Sequence, residues 1–81
     1  MDEFGQGKEK FLQIVKSLDP SVEVVMPVTP SRGLFLMSFT KAGQRKFLTV
    51  GEDDILDLPD EPGIVKKVTD EVQTSLADLS S

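Results

Sequence analysis

Histidine, cysteine, tyrosine and tryptophan are all absent from this sequence of 81 residues. Without histidine and cysteine, the chain lacks the most common general base, the thiolate nucleophile and the usual zinc ligands. Carboxylates, lysines, arginines and hydroxyls remain, but the carboxylates crowd one short stretch instead of facing each other across a cleft. We therefore predict a protein that is not an enzyme and that uses no cofactor and no metal ion.

The absence of cysteine also removes disulfides, which fits a reducing compartment, and we predict a cytoplasmic location. No apolar run approaches the roughly 20 residues of a membrane-spanning helix, and acidic Asp2 and Glu3 stand where a signal peptide would be basic. We predict neither a membrane span nor export. The length allows one domain, which we assign to residues 1–81, with a frayed start over 1–7.

Residues 32–50 contain two apolar runs that flank a turn, which predicts a β-hairpin. The first run, residues 34–39, is apolar at five of six positions and therefore suits the central strand of a sheet. Over residues 22–28, apolar and polar residues alternate, which predicts a further strand. Pro27 has no N–H for a strand ladder, so this strand should lie at an edge. Together the three strands predict an antiparallel meander.

The loop of the hairpin determines which side chains share a face. A two-residue loop at Ala42-Gly43 would force a positive φ on alanine, so we predict a three-residue loop that begins at Lys41. Thr40 then pairs with Gln44, and the sheet has one aliphatic and one aromatic face. The aliphatic face holds Leu34, Leu36, Leu48 and Val50, and the aromatic face holds Phe35, Met37, Phe39, Phe47 and Arg45.

Apolar residues recur at helical spacing on both sides of the predicted strands. The first helix runs from Lys8 to the residues before Pro20, and the second begins with Asp60 as N-cap and Pro62 in its first turn. We predict an α+β fold of order α-β-β-β-α, with both helices mainly on one face of the sheet. We expect the aliphatic face to meet them, because branched side chains also line the second helix: Ile64, Val68, Val72, Leu76 and Leu79.

This order of elements resembles that of the double-stranded-RNA-binding domain. The resemblance lies in topology alone, because the second long helix starts with Asp60-Glu61 instead of a basic cluster, which only Lys66 and Lys67 approach. It therefore transfers no function to this chain.

Acidic residues are concentrated after the hairpin. Residues 1–50 hold seven Lys/Arg and five Asp/Glu, whereas residues 51–81 hold two and nine. A patch of this kind repels nucleic acid and attracts basic partners, although it also fits a solvated surface that only favours solubility. The predicted acidic patch consists of Glu52, Asp53, Asp54, Asp57, Asp60 and Glu61.

Two classes of function fit these features. The first is a protein-interaction module or small homodimer whose aromatic face, with Arg45, is buried by another protein or a second copy. The alternative is a nucleic-acid binder in which phenylalanines stack on bases beside basic side chains. That set would be Phe35, Phe39 and Phe47 with Arg32, Arg45 and Lys46. These phenylalanines also suit an ordinary core. The net charge of -5 favours a protein partner over nucleic acid, and we expect no membrane partner.

Overall fold

The computed structural model describes residues 4–80, which form helices and strands in the predicted α+β order. A short additional helix separates the last strand from the C-terminal helix. The elements are α1 (Gly5–Leu18), β1 (Glu23–Val25), β2 (Leu34–Lys41), β3 (Gln44–Gly51), α2 (Glu52–Asp57) and α3 (Pro62–Ser80).

The strands form an antiparallel sheet of order β1-β2-β3, so β2 is central, as its apolar composition predicts. The edge strand β1 covers only residues 23–25 and stops before Pro27, which cannot continue the ladder. The helices pack on one face of this sheet, and the fold class predicted from the sequence is confirmed.

The predicted loop between β2 and β3 is wrong by one residue. Lys41 pairs with Gln44, and Ala42 and Gly43 alone form the turn, with φ values of 51° and 81°. Both positive values are those of a type I′ turn, whose twist matches that of the flanking strands. This match outweighs the roughly 1–2 kcal/mol that a left-handed conformation costs alanine. The shift gives every β3 residue a new partner: Phe35 pairs with Val50 and Phe47 with Ser38.

The assignment of the sheet faces is also wrong. The three side chains at alternate β2 positions, Phe35, Met37 and Phe39, are fully buried, whereas Leu34 and Leu36 are half exposed. The polar residues of β2 explain this choice, because Ser38 and Thr40 share the face of the two leucines. The face with uninterrupted large apolar side chains becomes the core. It is joined there by Phe11, Ile14, Val15, Val22, Val50, Ile55, Leu58, Val68, Val72, Leu76 and Leu79.

Helix α1 begins at Gly5, before the predicted start at Lys8. Part of the predicted frayed start, residues 1–3, lies outside the described residues, and the remainder joins the helix or precedes it directly. Gly7 is buried where α1 crosses α2, and a Cβ atom added to it would lie 1.9 Å from the carbonyl oxygen of Ile55. Only a residue without a side chain allows the two helices to approach this closely.

Helix α3 follows the predicted apolar stripe, with Val68 and Val72 almost completely buried. It begins at Pro62, so Glu61, and not the predicted Asp60, immediately precedes it. The Glu61 carbonyl accepts hydrogen bonds from the N–H groups of residues 64 and 65 at 3.1 and 3.0 Å. Within residues 4–80, no helix combines the length and apolarity that crossing a membrane requires.

Candidate interaction face

The side chains predicted to meet a partner lie mostly inside the protein. Phe35 meets the ring of Phe4 edge to face, with centroids 5.0 Å apart, and Phe39 stacks on Phe11 at 6.1 Å. The Lys8 ammonium lies 5.3 Å from the centroid of the Phe35 ring. Helix α1 and the residue before it therefore cover the aromatic positions of β2.

Met37, the third predicted partner-binding residue of β2, is also fully buried. The prediction that the aromatic face is left for another chain is therefore wrong for its three β2 members. It failed because α1 and α2 supply enough apolar side chains to close that side of the sheet. Phe47 belongs to the opposite side, where it is 52% exposed.

The uncovered side of the sheet, which we call the open face, carries four large apolar side chains. Their exposed fractions are 63% for Val25, 46% for Leu34, 54% for Leu36 and 52% for Phe47. All three strands contribute, because β1 supplies the valine, β2 the leucines and β3 the phenylalanine. These four residues thus form one apolar surface on regular backbone, with polar neighbours on the same face: Glu23, Ser38, Thr40, Arg45 and Thr49.

The strand register sets these side chains out in rows across the sheet. One row is Val25, Ser38 and Phe47, and the next is Glu23, Thr40 and Arg45. Residues that pair directly across antiparallel strands point to the same face. The second row therefore places an acid at one edge of the open face and a base at the other, with the apolar residues beside them.

The basic residues of the alternative nucleic-acid set are not brought together. Lys46 alternates with Arg45 along β3, lies on the covered side, and forms an ion pair with Asp78 at 3.0 Å. Arg32 lies in the tight turn that precedes β2, at the opposite end of that strand from the turn near Arg45. With Phe35 and Phe39 in the core, only Phe47 and Arg45 of this set share an exposed face.

The acidic patch lies in the helix layer, away from the open face. Ile55 and Leu58 are fully buried in the core, and they hold α2 against the covered side of the sheet. Asp54 accepts a hydrogen bond from the Lys67 ammonium at 2.9 Å, and this bond is the main cause of the raised pKa of Lys67. Glu52 is partly exposed, and the exposed members of the patch are Asp53, Asp57, Asp60 and Glu61.

A third ion pair connects the end of α1 to the end of β2. The Lys41 ammonium donates to a carboxylate oxygen of Asp19 at 2.6 Å, and Ser21 donates to the other oxygen through its N–H and hydroxyl groups. The bond from Lys41, followed by those from Ser21, lowers the pKa of Asp19 from 3.8 to about 2. The pair is structural, because it fixes the chain where it leaves the helix layer for the sheet.

The helix side of the molecule carries a shallow groove of about 340 Å³ between β3 and α3. It is lined by Leu48, Asp70, Glu71, Thr74 and Ser75. No group of three or more metal-ligating side chains occurs within the described part of the chain.

Comparison with protein-family models, with curated proteins and with solved structures gives no match for this chain. The arrangement of the open face therefore stands on geometry alone. Sequence reasoning placed Leu34 and Leu36 in the core and did not single out Val25 or Glu23. The available signal was the position of Ser38 and Thr40, which mark one side of β2 as the more polar one.

Proposed function

We propose that this chain is a non-enzymatic protein-interaction module that buries its open face against another polypeptide. The observation that carries the proposal is the grouping of Val25, Leu34, Leu36 and Phe47, each about half exposed or more, on one side of the sheet. Single exposed apolar residues are common on soluble proteins, but a contiguous group on regular structure usually marks a contact surface.

The dimensions of the sheet support this proposal. Strands lie about 4.8 Å apart and rise about 3.3 Å per residue, so the 3, 8 and 8 residues of the three strands together present roughly 300 Å². This value counts the four apolar side chains together with their polar neighbours, and such a mixture is usual at a contact between proteins. The flat surface also suits a protein better than a small molecule, which binds in a concave pocket.

Charge supports a polypeptide over nucleic acid as the partner. The chain carries a formal charge of -5, which opposes binding to a polyanion, and the open face holds Arg45 as its base with Glu23 in the same row. The acidic patch on the helix side adds repulsion of nucleic acid and favours solubility. The cytoplasmic location predicted from the cysteine-free sequence remains part of this proposal.

Photo-crosslinking tests whether the open face contacts a polypeptide. A photoreactive amino acid at Thr49, which is exposed on the open face, is compared with one at Lys66, which is exposed on α3. The purified protein and an extract of its source cells are irradiated separately. We expect a covalent adduct with a polypeptide from the probe at Thr49 and none from the probe at Lys66.

A matched pair of substitutions links that adduct to the apolar side chains. Phe47→Asp introduces a charge into the open face, and Leu56→Asp introduces the same charge at an exposed leucine of α2. Both variants should keep the native circular dichroism, but only Phe47→Asp should abolish the adduct. An adduct that survives Phe47→Asp, an adduct with nucleic acid, or no adduct in either sample would contradict the proposal.

A further inference from the structure

We infer that the occupant of the open face is a second copy of this chain, packed face to face about a two-fold axis parallel to β2. The inference rests on the proposed function and names its partner. It follows from the way the acidic, basic and apolar side chains of the open face are distributed over the three strands.

A two-fold axis parallel to the central strand exchanges the two edges of the sheet. In such a pair, β1 of one copy lies over β3 of the other, and β2 lies over β2. Because Glu23 and Arg45 lie in one row at opposite edges, each glutamate then faces the arginine of the other copy. Packed sheets lie about 10 Å apart, a gap that a glutamate and an arginine side chain span together.

The apolar residues of the open face match under the same operation. Val25 and Phe47 lie in the neighbouring row, also at opposite edges, so the small side chain of one copy meets the large side chain of the other. Leu36 lies on the central strand and meets its own counterpart. Interleaving of small and large side chains is how two sheet faces form a close-packed layer.

The perpendicular choice of axis does not give this complementarity. A two-fold axis that runs across the strands reverses the order of the rows, and it would place Glu23 and Arg45 over the row of Leu34. Both charges would then lie against the row of Leu34 without an opposite charge facing them, so the attraction between glutamate and arginine would be lost. The charge pattern therefore selects a single orientation for the pair.

The small area of the face sets the strength of the association. Roughly 300 Å² per copy is less than half of the ~800 Å² per partner found in stable interfaces. We therefore expect a weak dimer in rapid exchange with the monomer. Because the flanking ion pairs are solvent exposed, added salt should weaken their contribution to the association.

Charge reversal at the two edges tests both the partner and the axis. Glu23→Arg leaves two bases in the row, and Arg45→Glu leaves two acids, so each variant places like charges opposite each other in its own dimer. Sedimentation equilibrium at low salt, up to about 1 mM protein, should show dimerisation weakened at least about tenfold for each variant. An equimolar mixture should associate, because every contact then joins opposite charges.

The double variant Glu23→Arg/Arg45→Glu should also dimerise as the natural chain does, because it exchanges the charges without changing the net charge. Glu9→Arg and Lys66→Glu serve as matched controls, since both residues are exposed on the helix side and alter the net charge in the same way. Thermal melts of all variants establish that they are folded. Rescue by the mixture and by the double variant requires the proposed axis.

The outcomes separate this inference from the proposed function. The inference is overturned if the natural chain stays monomeric at the highest concentration. It is also overturned if the charge reversals leave the dimerisation constant unchanged. If the probe at Thr49 then still yields an adduct with a different protein in the extract, the proposed function stands with another partner. If that probe captures no polypeptide in either sample, both proposals fail.

Discussion

The two sides of the three-stranded sheet differ in their exposure to solvent. On the covered side, Phe35, Met37 and Phe39 are fully buried beneath the helices, whereas on the open face Leu34 and Leu36 remain half exposed. Both sets come from one strand and both are strongly apolar, so composition alone does not separate them. The difference lies in what interrupts each set along the strand.

On the covered side, large side chains follow one another until β2 ends in a lysine, and they bury more apolar area than the two leucines would. On the open face, Ser38 and Thr40 follow the two leucines along β2, and burying their hydroxyls would require hydrogen-bond partners. Helix packing therefore takes the side with the larger apolar area and fewer polar groups. The remaining apolar side chains become available for association.

The largest effect expected from this contrast is at Phe39. Phe39→Ala removes a ring that stacks on Phe11 in the core, and it should lower the free energy of unfolding by about 3–5 kcal/mol. Phe39→Asp should prevent folding altogether, because it buries an unpaired charge. Urea denaturation followed by circular dichroism measures the first variant. A loss below about 1 kcal/mol would contradict the burial of this ring.

A smaller loss is expected where the helix layer closes over the covered side. Gly7→Ala should destabilise the protein by about 1–3 kcal/mol, because the added Cβ collides with the backbone of Ile55. Gly63→Ala in α3 is the matched control, since nothing lies within 4 Å of its added Cβ. That variant should gain up to about 1 kcal/mol from helix propensity. Equal effects in denaturant melts would contradict the close approach at Gly7.

On the open face, truncation of a side chain should lower the free energy of unfolding only slightly. Leu36→Ala removes a side chain that is 54% exposed, and we expect a loss below about 1 kcal/mol when unfolding is measured at low protein concentration. The sequence alone led us to place Leu36 in the core, where the same change would cost about 2–5 kcal/mol. Denaturant melts distinguish these values directly.

The ion pair at the margin of the covered side predicts a small dependence on pH. The folded-state pKa of Asp19 is about 2, below its usual 3.8, so the stabilisation is present above pH 3.8 and is lost as the pH falls towards 2. Carboxyl chemical shifts in an NMR titration measure this pKa. Lys41→Met should raise it towards the usual value while the bonds from Ser21 keep part of the depression. An unchanged midpoint would contradict the role of Lys41.

We expect the protein not to bind nucleic acid. The open face offers a single ring, Phe47, with one base beside it, and stacking platforms for single strands combine several rings with a positive groove. Fluorescence anisotropy with single-stranded oligonucleotides at moderate salt should show no binding for the natural chain or for Arg45→Glu. A micromolar complex that weakens steeply with salt would reverse our preference for a polypeptide partner.

Sequence patterns predicted the order of elements, the central place of β2, the edge position of β1 and the stripe of α3. They failed at the loop, because the choice between two and three residues turned on Ala42, where strand twist outweighs a local steric cost. They also assigned the wrong face of the sheet to the helices, because both sides of residues 34–39 are apolar and the predicted register paired Leu36 with Leu48. The side of β2 that carries Ser38 and Thr40 is the more polar one, and this pattern in the sequence favours the observed assignment.

The meander in which every strand pairs with its neighbour along the chain also bears on how the protein folds. The β2–β3 hairpin has the shortest loop, and hairpins of this type form within about 1–10 μs, before helices distant in sequence can dock. During that interval both sides of β2 are exposed to water, so the isolated hairpin presents apolar side chains on each side and can associate with others. Arg45 and Lys46 lie beside the turn, where positive charges keep such ribbons from adding to one another. Until β1 adds Glu23 to the same face, these two positive charges oppose contact between newly made chains.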